Sequence, residues 1–395
     1  MRILHLLHTS LPHVCGYSLR SDQIVSLQAQ LGLDLAVLTS AQQPRDANDD
    51  GFLGGVRHFR TAHTRLLPSP LRELQLIGGL ARRIDQVCRD FKPQIVHAHS
   101  PVLVGFPAMR AARRLGIPFV YEIRDLWENA SVDRGKFTVG SLPYRGARAL
   151  ETYTMQRTDA VFTIGENLRQ ELASRTKSMV YVTPNGVDVD KFVPELCNPE
   201  WQARWNPNGR DLLAYVGSFQ PYEGLDVLLR ALPLMKRVNP SVSLLVAGDG
   251  PERSALERLA TDLGIQSDVR FAGRVPHTQV REIYSVADLL VYPRVATLTT
   301  RLTTPLKPLE AMSAGKAVLA SDLPPLRELI DNDLTGWLFQ AGSSESLADK
   351  ALTLLASPRV RETLGASARQ SVLERTWKSS VERYIPVYET LLGLK

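Results

Sequence analysis

Lys307 and Glu310 are the two residues whose types and spacing most directly indicate chemistry. They stand three positions apart within residues 304–315, a stretch whose pattern predicts a helix over 306–314. Residues three apart share one face of a helix, so a cation and a carboxylate face outward together near its start. Free N–H groups and the helix dipole favour a phosphate at such a position. The pair therefore predicts a binding site for a phosphate-containing ligand.

Short apolar runs on either side of this helix indicate the elements that position it. Residues 287–292 predict a buried parallel strand before the helix, and residues 317–321 predict the next strand after it. The same alternation of strands and helices runs along the whole chain and predicts open parallel sheets. Strands are predicted over 2–7, 34–39, 95–99, 119–123, 160–164, 212–217, 243–247 and 269–272, and helices over 19–31, 71–91 and 381–392.

The length of the chain predicts two domains. At 395 residues it exceeds what one hydrophobic core usually supports. The break is predicted between Asp190 and Arg210, where prolines are frequent and no periodicity is clear. We predict doubly wound domains over 1–195 and 205–377. Ligands of open α/β sheets bind beyond the carboxyl ends of the strands, so we expect the two domains to face each other across a cleft that holds the site.

Several short strings follow one another in an order that is known from one family. Glu310-Ala-Met-Ser-Ala-Gly315 is the most specific of them. The others are Pro184-Asn-Gly-Val-Asp188 with Phe192, Tyr215-Val-Gly-Ser-Phe219, Gly224-Leu-Asp-Val-Leu-Leu229, Val246-Ala-Gly-Asp-Gly-Pro251, Val269-Arg-Phe-Ala-Gly273 and Ala287-Asp-Leu289. With these strings the chain resembles, over nearly its whole length, the retaining glycosyltransferases of family 4. The resemblance implies the GT-B fold, an α/β architecture of two Rossmann-like domains, with a C-terminal helix at about 378–395 that packs back on the first domain.

The resemblance also implies a function. Members of the family move a sugar from a nucleoside-diphosphate donor to a hydroxyl group with retention of the anomeric configuration. We therefore expect transfer of a hexose, or of an amino or deoxy sugar, from a nucleotide-sugar, UDP-sugar in the first place, to a saccharide or polyprenyl-linked acceptor. Residues 304–310, 222–226 and 97–101 are similar to the exosortase A system-associated members, which implies a role in the synthesis of exopolysaccharide or another cell-surface glycan.

The predicted donor-binding residues follow from the same resemblance. In the family, the residue that matches Glu310 holds the ribose of the donor, and a carboxylate can accept hydrogen bonds from both ribose hydroxyls. Glycine turns after strands can bring backbone N–H groups close to a diphosphate. The predicted set is Gly16, Gly217, Ser218, Gly248, Arg274, Arg294, Arg301, Pro305, Leu306, Lys307 and Glu310.

Three positions depart from the family pattern. Leu302 stands where the first glutamate of an E-x7-E motif is expected, and Ser218 and Glu223 stand where members commonly have an arginine and a lysine on phosphate. The charge of the diphosphate must therefore be met by other cations. We predict that Lys307, Arg294 and Arg301 do so, in that order.

The predicted catalytic residues are Arg124, Asp125, His99 and Lys307. Arg124 aligns with a position that is often a catalytic histidine in the family, so we expect Arg124 and Asp125 to contact the acceptor or the transferred sugar. His97 and His99 alternate on one strand and point to the same face. We predict a core position for His97 and a site position for His99. No third ligand follows at metal spacing, so we predict neither a metal nor another cofactor.

The net charge of +6 is concentrated in the first half, where residues 1–197 hold 24 basic against 19 acidic side chains. An ordinary solvated surface would explain this surplus; the alternative is attraction to anionic lipid or to a lipid-linked diphosphate. The helix predicted over 71–91, which Arg65 and a proline-rich turn precede, would then either pack on a core or lie on an anionic membrane. Its cations are Arg72, Arg82, Arg83 and Arg89. We find no nucleic-acid-binding signature and expect no nucleic-acid partner.

The remaining features favour a cytoplasmic enzyme. Cys15, Cys88 and Cys197 lack the spacing of a metal or redox motif, which favours free thiols in a reducing compartment. The first residues predict a strand and not a signal peptide. No apolar run reaches the roughly 18 residues that a membrane span needs. We expect a cytoplasmic protein, either free or at the inner face of the plasma membrane.

Two alternatives to transfer remain open. Nucleotide-sugar epimerases share the expected architecture and would process the donor without an acceptor. A binding protein without transfer activity would also fit Leu302, Ser218 and Glu223. Analysis of the products formed with and without an acceptor separates these alternatives.

Overall fold

The chain divides into two compact units, each of which is described by itself. In the computed structural model, residues 1–13, 15–43, 50–62, 67–69 and 71–394 are described. The first unit comprises Met1–Asn185 and the C-terminal segment from Trp377 onward, and the second comprises Gly186–Thr376. The chain therefore leaves the first unit before the predicted break and returns to it near the C-terminus.

The first unit alternates strands and helices. Its elements are β1 (Arg2–Leu7), α1 (Gly16–Gln30), β2 (Asp34–Thr39), β3 (Gly51–Leu53), β4 (Val56–Arg60), α2 (Leu71–Phe91), β5 (Ile95–His99), α3 (Val102–Leu115), β6 (Phe119–Ile123), α4 (Trp127–Asp133), α5 (Leu142–Met155), β7 (Ala160–Thr163), α6 (Glu166–Ala173) and β8 (Val180–Val182). The strands form one sheet of eight in the order β3-β4-β2-β1-β5-β6-β7-β8. All pairings are parallel except that of β3 with β4.

The helix α2 packs on the core of the first unit through one apolar face. Leu76, Leu80, Ile84 and Val87 recur at helical spacing and are buried, so this face packs on the core, as one of the two alternatives for the helix expected. Leu71 and Leu74 are exposed. Arg65 and Pro70, which belong to the proposed membrane segment, lie outside the described residues.

The second unit is a smaller parallel sheet. Its elements are α7 (Pro199–Trp205), β9 (Leu212–Val216), α8 (Leu225–Val238), β10 (Ser243–Ala247), α9 (Arg253–Asp262), β11 (Val269–Gly273), α10 (Val280–Val286), β12 (Leu289–Tyr292), α11 (Lys307–Ser313), β13 (Val318–Ser321), α12 (Pro324–Arg327), β14 (Trp337–Phe339), α13 (Ser344–Leu355) and α14 (Pro358–Val372). Six strands in the order β11-β10-β9-β12-β13-β14 form the sheet, and every pairing is parallel. The predicted strand, helix, strand unit around Glu310 is therefore β12, α11 and β13.

The C-terminal segment forms two helices, α15 (Trp377–Glu382) and α16 (Ile385–Leu391), where the pattern predicted one. Pro386 stands in the first turn of α16 and lacks the N–H that would continue a helix from α15. Tyr384 and Tyr388 are fully buried in the core of the first unit, which also contains Ile3 and Phe162. The segment thus completes that core. Among the described residues, no helix has the length and apolarity to cross a membrane.

Candidate functional site

The helix α11 places Glu310 at the carboxyl end of the second sheet. Its apolar face buries Leu309 and Met312, and the hydroxyl of Tyr292 donates to the carbonyl of Lys307 at 3.1 Å. These contacts fix the first turn, so Lys307 and Glu310 project together from it. Their side chains meet, because Nζ of Lys307 lies 3.1 Å from Oε2 of Glu310.

Two further groups contact the Glu310 carboxylate. Nε2 of His277 lies 3.4 Å from Oε1, and the hydroxyl of Tyr284 donates to Oε2 at 3.3 Å. Burial by itself would raise the pKa of Glu310, but the Lys307 ammonium and the His277 hydrogen bond hold it below its ordinary value. The carboxylate is therefore ionised and oriented, as an acceptor for ribose hydroxyls must be.

Sequence reasoning missed both of these partners. His277 begins a short helical turn, His277–Gln279, that follows β11, and Tyr284 lies on α10. Both residues are far from Glu310 along the chain, so no local pattern indicates these contacts. His277 does follow the end of a parallel strand, where ligands of open sheets bind, and this position could have indicated it. Its Nδ1 lies 2.8 Å from Nζ of Lys191.

The glycine turns after β9 and β10 are in close contact with each other. A Cβ on Gly248 would lie 1.7 Å from the carbonyl oxygen of Gly217. The N–H of Gly217 donates to Ala247, and the N–H of Gly248 donates to Gly273. Close backbone packing thus explains Gly248, whereas a Cβ on Gly217 would meet the side chain of Tyr215. In this structure both N–H groups are already hydrogen-bonded.

Arg294 follows β12 and is only 5% exposed. Its Nε lies 3.5 Å from Oε1 of Glu223, and its Nη1 donates to the carbonyl of Thr303 at 3.0 Å. Burial raises the pKa of Glu223, and Arg294 opposes that rise. Glu223, which stands at the family's usual lysine position, thus lies against Arg294, a cation in the loop that follows the neighbouring strand.

The other predicted donor residues of this unit surround α11 or the strand ends. Arg301 and Ser218 are exposed, and Pro305 and Leu306 are half-buried just before the helix. The Arg274 side chain is 84% exposed and lies 3.3 Å from Asp249. Their roles remain predictions.

In the first unit, Arg124 and His99 are buried in one hydrogen-bond network. Arg124 donates to Glu122 at 2.7 Å, and its Nη2 lies 2.6 Å from Nδ1 of His99. Burial would raise the pKa of Glu122, but Arg124 and Arg20 hold it well below its ordinary value. The guanidinium of Arg124 also lies over the ring of Tyr17 at 4.5 Å. Arg124 is therefore held in place by its own unit.

The sequence shows no third ligand at metal spacing beside His97 and His99, but the structure places a third histidine next to them. The parallel pairing of β1 with β5 places His5 directly opposite His97, and nitrogen atoms of the three rings lie within 4.8 Å of one another. Burial lowers the pKa of His5 to about 3 and that of His99 to about 4. It also lowers the pKa of His97. All three rings are therefore neutral near pH 7.

The hydrogen bonds of this cluster determine which ring nitrogens carry protons. Arginine can only donate, so Nδ1 of His99 accepts from Arg124 and its Nε2 donates to Nδ1 of His5 at 3.0 Å. His5 then donates to Oε1 of Gln28 at 2.9 Å. Two of the lone pairs that a metal would need, on Nδ1 of His99 and on Nδ1 of His5, therefore already have donors, and Nδ1 of His97 lies 2.7 Å from the hydroxyl of Tyr388. The expectation of no metal remains a prediction.

Two predicted residues lie near this network. Asp125 is half-buried and its Oδ1 accepts from Ser100 at 3.3 Å, and burial raises its pKa. Gly16 is exposed at the first position of α1. The catalytic role of Asp125 and the donor-binding role of Gly16 stay predictions.

Comparison with known proteins agrees with the fold. The family model described as "Glycosyltransferase Family 4" matches residues 21–191, and "Glycosyl transferases group 1" matches residues 198–371. A GDP-mannose-dependent alpha-mannosyltransferase of Mycolicibacterium smegmatis is 27% identical over 394 residues, covering 100% of this chain and 98% of the relative. A D-inositol 3-phosphate glycosyltransferase of Thermomonospora curvata is 31% identical over 313 residues, covering 74% and 70%.

Solved structures support the same class. A sucrose-phosphate synthase from Thermosynechococcus elongatus superimposes with a TM-score of 0.84 at 19% identity, covering 100% of both chains. Anabaena HepE in complex with UDP-glucose superimposes with a TM-score of 0.77 at 16% identity, covering 99% of this chain and 100% of that one. The fold is thus that of the GT-B glycosyltransferases. The chain belongs to glycosyltransferase family 4.

Proposed function

We propose that this glycosyltransferase uses a nucleoside-diphosphate sugar, with UDP-sugar as the first candidate, and that it transfers the sugar with retention to a saccharide or polyprenyl-linked acceptor. The observation that carries the donor assignment is the ionised Glu310 beside Lys307 at the start of α11. Relatives include a GDP-mannose-dependent enzyme, so GDP-sugars are the second candidate. The strings around residues 97–101, 222–226 and 304–310 support a role in exopolysaccharide synthesis.

The proposed reaction requires departure of the nucleoside diphosphate. The bond between the anomeric carbon and the phosphate oxygen breaks, and a bond from that carbon to the acceptor oxygen forms on the same face. The leaving phosphate takes the proton of the acceptor hydroxyl. Lys307 and Arg294 supply positive charge to the diphosphate, which stabilises the charge that develops in the transition state. Arg124, Asp125 and His99 are the proposed contacts to the acceptor or the transferred sugar.

Calorimetry with UDP and GDP tests the donor assignment. Glu310→Gln removes the charge from hydrogen bonds worth about 1.5–3 kcal/mol each, so affinity for the preferred diphosphate should fall about tenfold to hundredfold. Unchanged affinity would refute the assignment of ribose to Glu310. A panel of nucleotide-sugars with and without acceptor glycans then tests transfer. An isomerised donor formed without acceptor would indicate an epimerase, and binding without turnover would indicate a non-catalytic homologue.

A further inference from the structure

The Glu310 carboxylate has fewer free acceptor positions than a ribose requires. Two carboxylate oxygens offer about four acceptor positions in total. Lys307 and Tyr284 both approach Oε2, and His277 approaches Oε1. About one position therefore remains, whereas two ribose hydroxyls need two. One of the three donors must leave the carboxylate when a nucleotide binds.

The surroundings of the donors indicate which one leaves. Tyr284 is 1% exposed in the core of the unit, so its hydroxyl cannot move far. The Lys307 side chain is 29% exposed on a flexible stem, and a diphosphate attracts its ammonium. Lys307 therefore leaves Oε2 for the diphosphate, and this oxygen becomes available to the ribose.

His277 is held by a second contact that Lys307 lacks. The Lys191 ammonium can only donate, so at 2.8 Å it fixes the lone pair of His277 on Nδ1 and the proton on Nε2. The ring also packs edge-on against Phe192 with the ring centroids 5.4 Å apart. The Nε2–H of His277 is thus directed at Oε1 of Glu310 by groups from a different part of the chain.

We propose that His277 is a positioning residue for ribose recognition: with Lys191 behind it, His277 holds Oε1 of Glu310 so that the carboxylate faces the two ribose hydroxyls after Lys307 has moved to the diphosphate. This inference rests on the proposed donor site. It extends the proposed donor site by assigning ribose selectivity to three residues in successive contact, Lys191, His277 and Glu310.

The test compares the affinity for a nucleoside diphosphate with that for its 2′,3′-dideoxy analogue, using whichever of UDP or GDP binds more tightly. Calorimetry should show that wild type prefers the ribose form by about tenfold or more. In His277→Ala this preference should fall to less than about threefold. His277→Gln, whose amide N–H can replace Nε2–H, should keep part of it, and Lys191→Met should reduce it. Thr278→Ala, an exposed neighbour in the same turn, is the matched control and should behave as wild type.

The outcomes separate failure of the inference from failure of the proposed function. If wild type does not distinguish the two nucleotides, Glu310 does not bind ribose. This result would refute the proposed donor site and, with it, the positioning role of His277. If wild type distinguishes them and His277→Ala does so equally well, the positioning role is overturned while the donor site stands. Thermal melting of each variant shows that it is folded, and a lower melting temperature with an unchanged ribose preference assigns His277 a structural role and overturns the inference.

Discussion

At the scale of single residues, Lys307 is the group whose partner should change on donor binding. It lies against Glu310 in this structure, yet its charge and position at a helix start suit a diphosphate. In Lys307→Met the affinity for the nucleoside diphosphate should fall about tenfold to hundredfold. The affinity for the free nucleoside should stay equal or rise, because Oε2 of Glu310 no longer has to release an ammonium.

Calorimetry with the nucleoside and its diphosphate measures both effects. The melting temperature should change little, because a partly exposed lysine contributes little to folding. Glu310→Gln is the matched comparison, since it should weaken both ligands. An equal loss of affinity for nucleoside and diphosphate in Lys307→Met would show that Lys307 does not act on the phosphates.

Arg294 and Glu223 form the second residue-scale prediction. Glu223 is largely buried and burial raises its pKa above 4.5, with Arg294 opposing the rise. A raised pKa in the folded state means that stability falls as the pH rises above the ordinary range of a glutamate. Arg294→Met removes the opposing cation, so we expect a loss of about 3–5 kcal/mol near pH 7 and a smaller loss near pH 5.

Chemical denaturation at the two pH values measures this difference. Glu223→Gln combined with Arg294→Met removes the uncompensated carboxylate and should recover most of the stability. A loss that is the same at pH 5 and pH 7 would mean that Arg294 stabilises the unit through packing and not through Glu223.

At the scale of elements, the turns after β9 and β10 determine how closely two neighbouring strand ends can lie. Gly248 has φ +140° and a Cβ there would collide with the carbonyl of Gly217. We expect Gly248→Ala to destabilise the second unit by about 3 kcal/mol or more, because the backbone at Gly217 or at Gly248 would have to shift to remove the collision.

Gly264→Ala separates this collision from backbone strain. Gly264 also has a positive φ, +68°, but nothing lies within 4 Å of its added Cβ, so the change should cost only about 1–2 kcal/mol. Thermal or urea unfolding of both variants gives the comparison. Equal losses would show that the contact between the two turns is not the cause.

At the scale of the whole molecule, the C-terminal segment and the histidine cluster share one buried network. Gln28 donates to the hydroxyl of Tyr388, which meets Nδ1 of His97. Tyr384 donates to Glu122 and lies 3.2 Å from Nη2 of Arg20. The C-terminal segment thus contributes hydrogen-bond partners to His97 of β5, to Glu122 of β6 and to Arg20 and Gln28 of α1.

This network predicts acid sensitivity. Burial lowers the pKa of His5 to about 3 and of His99 to about 4, against 6.5 for an ordinary histidine. The unfolded chain therefore binds protons that the folded unit does not, and stability is lost as the pH falls from about 6.5 toward these values. Each such histidine contributes a slope of about 1.4 kcal/mol per pH unit.

Urea unfolding between pH 7 and pH 5, followed by tryptophan fluorescence, measures the slope. His5→Gln should reduce it, because one titrating ring is removed while an amide can still meet Gln28. His277→Gln, in the other unit, is the control. An unchanged slope in His5→Gln would show that His5 does not titrate between the folded and unfolded states in this range.

The sequence by itself determined the local elements and the pairing of Lys307 with Glu310. The strands β1, β2, β5, β6, β9 and β10 are short segments rich in apolar residues, so neighbouring residues alone indicate their burial in parallel sheets. Lys307 and Glu310 lie within one helical turn, and helix geometry alone brings them together. The family strings also made the fold class predictable, because each string spans only a few neighbouring residues and can be read directly from the sequence.

Only the tertiary structure decided which distant residues complete these local patterns. His5 joins His97 and His99 through the register of β1 with β5, and His277 reaches Glu310 because the ends of parallel strands meet at one edge of a sheet. Glu223 and Arg294 meet for the same reason, after β9 and β12. Hydrogen bonds and burial of this kind depend on positions in space, and no periodicity in the sequence encodes them, which is why spacing along the chain did not indicate that His5 lies beside His97 and His99.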